Sequence, residues 1–94
     1  MGEKWPTSRE LTDALLRVLI KLGGSVSVID LDREVLNGIN LSESQLQMKR
    51  SDNRTEIQYR LAWIRTKAKQ NGLVTREANR VWRITDKGRA SIES

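Results

Sequence analysis

The chain has 94 residues, with 17 Lys and Arg against 12 Asp and Glu, and it contains neither Cys nor His. A chain of this length buries enough surface for one modest core, so we predict a single domain spanning residues 1–94. Because Cys and His are missing, a disulfide framework, a Cys-based zinc site and histidine catalysis are excluded. The sequence also lacks a signal peptide and an apolar run of roughly 18 residues, which predicts a soluble, cytoplasmic protein without membrane contact.

The first predicted element is a helix that begins at a capping box. Thr7 and Glu10 have the spacing at which each side chain satisfies a backbone amide of the other, so the helix should start there. Gly23 and Gly24 should end it, because glycine readily adopts the left-handed conformation that follows a last helical turn. Its apolar residues form one wide face for burial: Leu11, Leu15, Leu16, Val18, Leu19 and Leu22.

Two further helices are predicted before the middle of the chain. Residues 25–27 are long enough for only one short pairing at the edge of a sheet, which we call a rung. Ser27 can cap a second helix over residues 28–37. Ser42 and Gln45 form another capping pattern, which predicts a short third helix of about two turns. The residues of the second helix that would face the core are Leu31, Val35 and Leu36.

The stretch from Asn53 to Ile84 begins with a predicted long amphipathic helix. After the polar run 49–52, Asn53 with Glu56 three positions later predicts a cap for a helix that extends to Asn71. Apolar residues recur along this helix at steps of four, three and four. These residues would form its buried stripe: Ile57, Leu61, Ile64 and Ala68.

A hairpin completes this unit. Residues 73–76 and 81–84 are predicted strands joined by a turn. Side chains alternate between the two faces of a strand, so Trp82 and Ile84 should face the core while Arg83 stays outside. A last short helix should follow the hairpin.

The basic side chains are concentrated in the second half of the chain. Residues 49–89 carry twelve basic and four acidic side chains, whereas residues 1–48 carry five basic and seven acidic ones. This asymmetry favours a protein in which one half faces phosphate groups. A solvated basic surface without a nucleic-acid partner would explain the scattered Lys and Arg residues equally well.

The order of helix, rung, helix, long helix and hairpin is typical of a winged helix-turn-helix domain, a mainly α fold with a three-helix core and a β-hairpin wing. Within that order, three runs resemble the N-terminal domain of Mrr-type restriction proteins: Arg60-Leu-Ala-Trp63, Lys69-Gln-Asn-Gly72-Leu73-Val74 and Val81-Trp82-Arg83-Ile84-Thr85-Asp86-Lys87-Gly88-Arg89. The resemblance covers nearly the whole chain, although residues 42–52 match no motif.

This resemblance implies a module that binds double-stranded DNA and that, in the family, precedes a nuclease domain acting on foreign or modified DNA, including methylated DNA. Such a nuclease would need Asp, Glu and Lys clustered around Mg²⁺, and no such cluster is recognisable in the sequence. We therefore expect no enzymatic activity, metal, cofactor or small-molecule substrate in these residues. A stand-alone transcription regulator and a winged helix that binds another protein are the alternatives.

The first group of candidate DNA contacts lies at the start of the long helix. Arg54, Thr55 and Gln58 would enter the major groove, where side chains of an inserted helix read base edges. Lys49 and Arg50, just before this helix, would contact phosphates. The alternative interpretation is a solvated helix end with no partner.

The second group lies at the hairpin. Arg76, Asn79 and Arg80 at its tip, with Arg83 on the second strand, would meet the minor groove or a neighbouring phosphate. Charges at a strand edge also discourage aggregation between sheets, and that role is compatible with DNA contact.

Two aromatic residues of the long helix lie well off its buried stripe. Tyr59 and Trp63 are placed where an aromatic ring could stack a modified base. A long helix held between the first helix and the wing would nevertheless bury two faces, so we predict that Trp63 packs in the core. Trp82 is predicted to be a core residue as well.

Overall fold

A computed structural model of the chain describes residues 4–93. Over these residues the protein is mostly helical, with a small antiparallel sheet. The elements in chain order are α1 (Ser8–Lys21), β1 (Ser25–Ser27), α2 (Val28–Gly38), α3 (Glu43–Gln47), β2 (Lys49–Ser51), β3 (Arg54–Thr55), α4 (Glu56–Gln70), β4 (Val74–Ala78), β5 (Val81–Ile84) and α5 (Asp86–Glu93).

Both ends of α1 agree with the prediction from the sequence. The Thr7 hydroxyl accepts a hydrogen bond from the Glu10 amide at 3.1 Å, and the Glu10 carboxylate accepts one from the Thr7 amide at 2.9 Å. At the other end, Gly23 and Gly24 have φ angles of 96° and 97°, which strongly favour glycine. The helix therefore begins and ends where its capping residues predict.

The caps of α2 and α3 are also confirmed. The Ser27 hydroxyl accepts from the Asp30 amide at 3.3 Å, and Ser42 forms a reciprocal capping box with Gln45. Helix α3 has only five residues and is shorter than expected. Gln45 is only 3% exposed, and its side-chain amide nitrogen donates a hydrogen bond to the Lys4 carbonyl. This bond ties α3 to the beginning of the chain.

The predicted rung and hairpin form a three-stranded antiparallel sheet in the order β1-β5-β4. Val26 of β1 lies opposite Trp82 of β5, and Val74 of β4 lies opposite Ile84. We call the hairpin β4–β5 the wing. Trp82 is half-buried against the core and Ile84 is buried, while Arg83 between them is exposed, as the alternation predicts.

The core is formed between α1, α2, α4 and the wing. Its buried apolar side chains are Leu11, Leu15, Leu16, Leu19, Leu31, Val35, Ile57, Leu61, Ile64, Ala68, Val74 and Ile84. The whole predicted stripe of the long helix is in this set. This arrangement of helices and wing is the expected winged-helix fold. No helix among residues 4–93 combines the length and the apolar character needed to cross a membrane.

The predicted start of the long helix was wrong. Helix α4 begins at Glu56 rather than at Asn53, because Thr55 and Gln58 form the capping box instead. The preceding polar residues 49–55 form a second hairpin, β2–β3, in which Lys49 lies opposite Thr55. This hairpin and α3 are inserted between α2 and α4, in the region for which the sequence matched no motif.

Candidate nucleic-acid interface

Four of the predicted contact residues are exposed cations that form no ion pair within residues 4–93. They are Lys49 and Arg54 on hairpin β2–β3, and Arg76 and Arg80 on the wing. Asn79 is exposed beside Arg80 in the wing turn. Unpaired surface cations can approach a phosphate without first breaking an internal contact, so these four residues are the best-placed phosphate ligands of the predicted set.

Arg50 has a different environment from the other cations of its hairpin. Its guanidinium lies 3.4 Å from the Glu56 carboxylate and 4.0 Å from the centre of the Tyr59 ring. These two contacts hold hairpin β2–β3 against the first turns of α4. Arg50 therefore positions the hairpin, and about half of its side chain (48%) remains exposed.

Glu56 connects this hairpin to the beginning of the chain through a second arginine. Its carboxylate accepts a hydrogen bond from Arg60 at 2.7 Å, and the Arg60 guanidinium lies over the Trp5 ring at 4.5 Å. The hydrogen bond from Arg60, followed by that from Arg50, holds the pKa of Glu56 below its ordinary value. The single acid of α4 is thus neutralised by two neighbouring cations.

Thr55 and Gln58 are used by the fold itself. The Thr55 hydroxyl accepts from the Gln58 amide at 3.2 Å, and the Gln58 side-chain oxygen accepts from the Thr55 amide at 2.9 Å. A bidentate contact with adenine needs both the oxygen and the nitrogen of a glutamine side chain. In this structure the Gln58 oxygen accepts the cap hydrogen bond from Thr55, so the fold orients this side chain towards its own helix end, and its contact with adenine stays a prediction.

Arg83 is exposed on the outer face of the wing, but it is paired. Its guanidinium donates to the Glu77 carboxylate at 2.9 Å, and the Ser25 hydroxyl donates to the same carboxylate. The hydrogen bond from Arg83 makes the largest contribution to lowering the pKa of Glu77, and the bond from Ser25 lowers it further. Arg83 therefore contributes less free charge to the surface than Arg76 or Arg80.

Helices α2 and α4 are joined by an ion pair between Asp32 and Arg65, whose side chain is only 13% exposed. Burial raises the pKa of Asp32, while the charges of Arg65 and Arg54 act in the opposite direction. The charge of Arg65 is therefore balanced inside the fold.

The wing also reaches α2. The amide of Val28, the first residue of α2, donates a hydrogen bond to the carbonyl of Arg80 at 2.7 Å. Arg80 lies in the wing turn with φ 58°, a left-handed conformation that non-glycine residues seldom adopt. The wing turn thus lies next to the beginning of α2.

The prediction that Trp63 packs in the core was wrong, because its side chain is 53% exposed. Helix α1 covers the buried stripe of α4, whereas the wing packs on α1 through β5 and meets α4 mainly through β4, which follows it in the chain. Neither α1 nor the wing therefore buries the Trp63 side chain. Tyr59, one turn earlier, is half-buried beneath Arg50.

Hairpin β2–β3 is the feature of this surface that the sequence prediction missed. Its signal was present: Asp52 and Asn53, both common turn residues, stand between short polar strands, and Thr55 with Gln58 has the spacing of a capping box. The capping pattern at Asn53 and Glu56 has the same spacing as that at Thr55 and Gln58, and it led to the wrong helix start. Among residues 4–93, no three acidic side chains meet in a group able to hold a metal ion.

Comparisons with known proteins give one finding. A family model described as the Mrr N-terminal domain matches residues 9–94, which is nearly the whole chain. Neither the comparison with curated proteins nor that with solved structures returns a match.

Proposed function

The chain belongs to the Mrr N-terminal domain family, and on this premise we propose that it is the duplex-DNA-binding module of a restriction-type protein. Residues 1–94 act as one recognition domain, which works in the cytoplasm and directs an associated nuclease domain to foreign or modified DNA. Helix α4 docks in the major groove, and the wing contacts the backbone or the minor groove. The observation that carries this proposal is the set of four unpaired cations on the two hairpins.

The charge distribution supports a polyanionic partner. The unpaired cations Lys49, Arg54, Arg76 and Arg80 lie on two hairpins that both contact α4, whereas Arg60 and Arg65 are held by acids of the fold. Phosphate contacts supply most of the affinity of such modules and fix their orientation on the duplex. Cations on two separate hairpins can contact more than one phosphate of the backbone.

The wing turn supports the same proposal through its backbone. A left-handed conformation costs a non-glycine residue roughly 1 kcal/mol, and this cost is common where a side chain is needed for function. Glycine would remove it, yet the position is occupied by Arg80 with φ 58°. A cation at the wing tip accounts for the retention of this strain.

The test is a fluorescence-anisotropy titration of a duplex over a series of salt concentrations. Four phosphate contacts predict a slope of about −4 for the logarithm of affinity against the logarithm of salt concentration. The double variants Lys49→Ala/Arg54→Ala and Arg76→Ala/Arg80→Ala should each reduce that slope by about 2.

The matched control removes the same charge from α1. Arg9 and Arg17 are exposed and form no ion pair within the described residues, so Arg9→Ala/Arg17→Ala should leave the slope unchanged. A slope near zero for the wild-type protein, or an equal loss in all three double variants, would contradict the proposed interface.

A protein-interaction module is the second candidate function. It is favoured by the exposure of four large apolar side chains, which are Ile29, Leu46, Met48 and Trp63. This alternative predicts that no duplex binds even at about 50 mM salt, where phosphate contacts are strong. A stand-alone transcription regulator would bind DNA as a dimer across two half-sites, which sedimentation of the complex distinguishes from a monomeric reader.

A further inference from the structure

An open groove of about 640 Å³ lies between α1, the end of α2 and the beginning of the chain. We call it the α1 groove. Its floor is formed by apolar side chains, of which one is buried and the others are half-buried: Trp5, Pro6, Ala14, Val18, Val35 and Ile39. Apolar surface of this kind, with polar residues at its rim, is typical of a site at which another protein docks.

Charged side chains of both signs line the α1 side of this groove. Glu10 and Asp13 lie towards the start of α1, and Arg17 follows one to two turns later. All three are exposed, and none of them forms an ion pair within residues 4–93. Because residues three, four and seven apart share one face of a helix, these charges form a single stripe with Ala14 at its centre. Lys4 is a further exposed cation of the rim, outside this stripe.

The stripe is complementary to itself when it is read in the opposite direction. In two antiparallel α1 helices related by a two-fold axis near residues 13 and 14, Glu10 of each copy lies opposite Arg17 of the other. The symmetry therefore forms two charge pairs, one on each side of the axis. Ala14 lies at the axis, where a small side chain allows two helices to approach closely. The chain itself thus carries an element that fits the groove in charge and in shape.

We propose that the α1 groove binds α1 of a second copy of this chain, in an antiparallel dimer with charge pairs between Glu10 and Arg17 across the two-fold axis. Long basic side chains can lay their methylene groups along apolar surface, so each Arg17 also covers the floor of the other copy near Trp5 and Pro6. The interface extends over only about two helical turns. It is therefore small, and the dimer dissociates readily.

This dimer goes beyond the proposed function, because it forms without DNA. The wing turn is bonded to the first residue of α2, whereas the α1 groove lies at the end of that helix. Helix α2 has 11 residues, which separate its two ends by about 15 Å. Each copy can therefore bind its own duplex. In a transcription regulator, by contrast, two copies share one duplex.

Sedimentation equilibrium of the free protein tests the dimer. The protein should change from monomer to dimer as its concentration rises from roughly 10 μM to 1 mM, the range expected for a small interface. Arg17→Glu places like charges opposite each other and should weaken association at least about tenfold. The matched control is Arg9→Glu. It makes the same charge change at an exposed residue of α1 that does not line the groove, so association should be unchanged.

An exchange of charges separates the proposed pairs from a general effect of net charge. Glu10→Arg should weaken association as Arg17→Glu does, and the double variant Glu10→Arg/Arg17→Glu should restore it, because the same pairs form with their signs exchanged. The Glu10 carboxylate also accepts the cap hydrogen bond from the Thr7 amide. Glu10→Arg and the double variant lose this bond equally, so the cap cannot account for the recovery.

Disulfide formation locates the two-fold axis, and the natural chain has no Cys that would interfere. Ala14→Cys places two thiols beside the axis and should give a covalent dimer on mild oxidation. Arg17→Cys places the two thiols about 10 Å apart along the helices, which is too far for a disulfide, so this variant should remain uncrosslinked. A non-reducing gel measures both.

The outcomes that overturn the dimer differ from those that overturn DNA binding. A protein that stays monomeric at about 1 mM, or a dimer that Arg17→Glu does not weaken, would refute the inference and leave the DNA-binding module standing. Equal crosslinking of Ala14→Cys and Arg17→Cys would refute the antiparallel arrangement. A dimer that shows the predicted charge exchange but binds no duplex at low salt would support the inference and refute the proposed function.

Discussion

The two hairpins of this protein present similar charges but are held in place by different forces. The wing pairs with β1, and its residues Val74 and Ile84 are buried in the core. Hairpin β2–β3 has no buried residue in either strand. It is attached by a hydrogen bond from the Glu56 amide to the Met48 carbonyl and by the contacts of Arg50.

This difference separates the stability of the fold from the chemistry of its surface. Burial of apolar side chains makes the wing part of the cooperative core, whereas exposed ion pairs and single hydrogen bonds add only about 1 kcal/mol each. Hairpin β2–β3 should therefore open locally at a much lower free energy than the wing.

The largest expected effect is in the wing. Ile84 is 4% exposed, so Ile84→Ala should lower the free energy of unfolding by about 3 kcal/mol through lost burial and the cavity left behind. Denaturant titration followed by circular dichroism measures this change. Val81→Ala, in the same strand but only half-buried, should have a smaller effect, and equal effects would contradict the assignment of the wing to the core through Ile84.

The next largest loss of stability is expected at Gly88 of α5, which packs closely against Leu73 and Ile84. A Cβ atom at Gly88 would lie 2.2 Å from the Leu73 carbonyl oxygen and 2.8 Å from a side-chain carbon of Ile84. Gly88→Ala should therefore lower the free energy of unfolding by about 2 kcal/mol, because the backbone must shift. The control is Gly38→Ala, which has open space around the added atom and should be neutral or slightly stabilising.

The wing turn should show stability and function changing in opposite directions. Arg80→Gly relieves the left-handed strain, whereas Arg80→Ala retains it, so the glycine variant should be more stable by roughly 1 kcal/mol. Both variants lose the same charge and should lose DNA affinity equally. Thermal melts and anisotropy titrations of the pair measure the two effects, and an alanine variant as stable as the glycine variant would contradict the strain.

Hairpin β2–β3 should respond locally instead of globally. Arg50→Ala removes the contacts with Glu56 and Tyr59, so it should lower the overall stability by about 0.5 kcal/mol and speed hydrogen exchange at the Glu56 amide, which bonds to the Met48 carbonyl. Lys49→Ala, which removes an unpaired cation from the same hairpin, should leave that exchange rate unchanged. An identical rate in both variants would show that Arg50 does not hold the hairpin.

The smallest effect concerns pH. Hydrogen bonds from Arg60 and Arg50 lower the pKa of Glu56 from 4.5, so folding favours its ionised form. The resulting stabilisation is present above that pH and is lost as the pH falls through the lowered pKa. Glu56→Gln should therefore flatten the acid limb of the stability curve. Burial raises the pKa of Asp32, so the contribution of Asp32 to stability changes with pH in the opposite direction. The stability of Glu56→Gln must therefore be compared with that of the wild-type protein at each pH.

Elements with apolar periodicity or a unique capping box could be predicted from the sequence. The stripe of α4 and the alternation of Trp82 and Ile84 follow directly from the helical and strand periods. The cap at Thr7 follows equally from its spacing with Glu10, because no competing pattern lies beside it. In each of these cases the local pattern and the tertiary packing agree.

The start of α4, hairpin β2–β3 and the environments of Trp63 and Arg65 could not be predicted, because they depend on tertiary packing that no local sequence pattern reports. Two capping patterns two residues apart left the start of α4 ambiguous, and a hairpin without buried residues carries no apolar signal. The exposure of Trp63 depends on where the sheet lies, which is set by the pairing of β1 with β5. The use of Arg65 inside the fold depends on Asp32, a residue 33 positions away in the chain.

The hydrogen bond between the Val28 amide and the Arg80 carbonyl determines where the wing turn lies relative to α2. It fastens the backbone of the wing turn to the first residue of a core helix. In the proposed complex with DNA, a turn held at this spacing would lose little freedom on binding and would favour duplexes whose width and curvature match it.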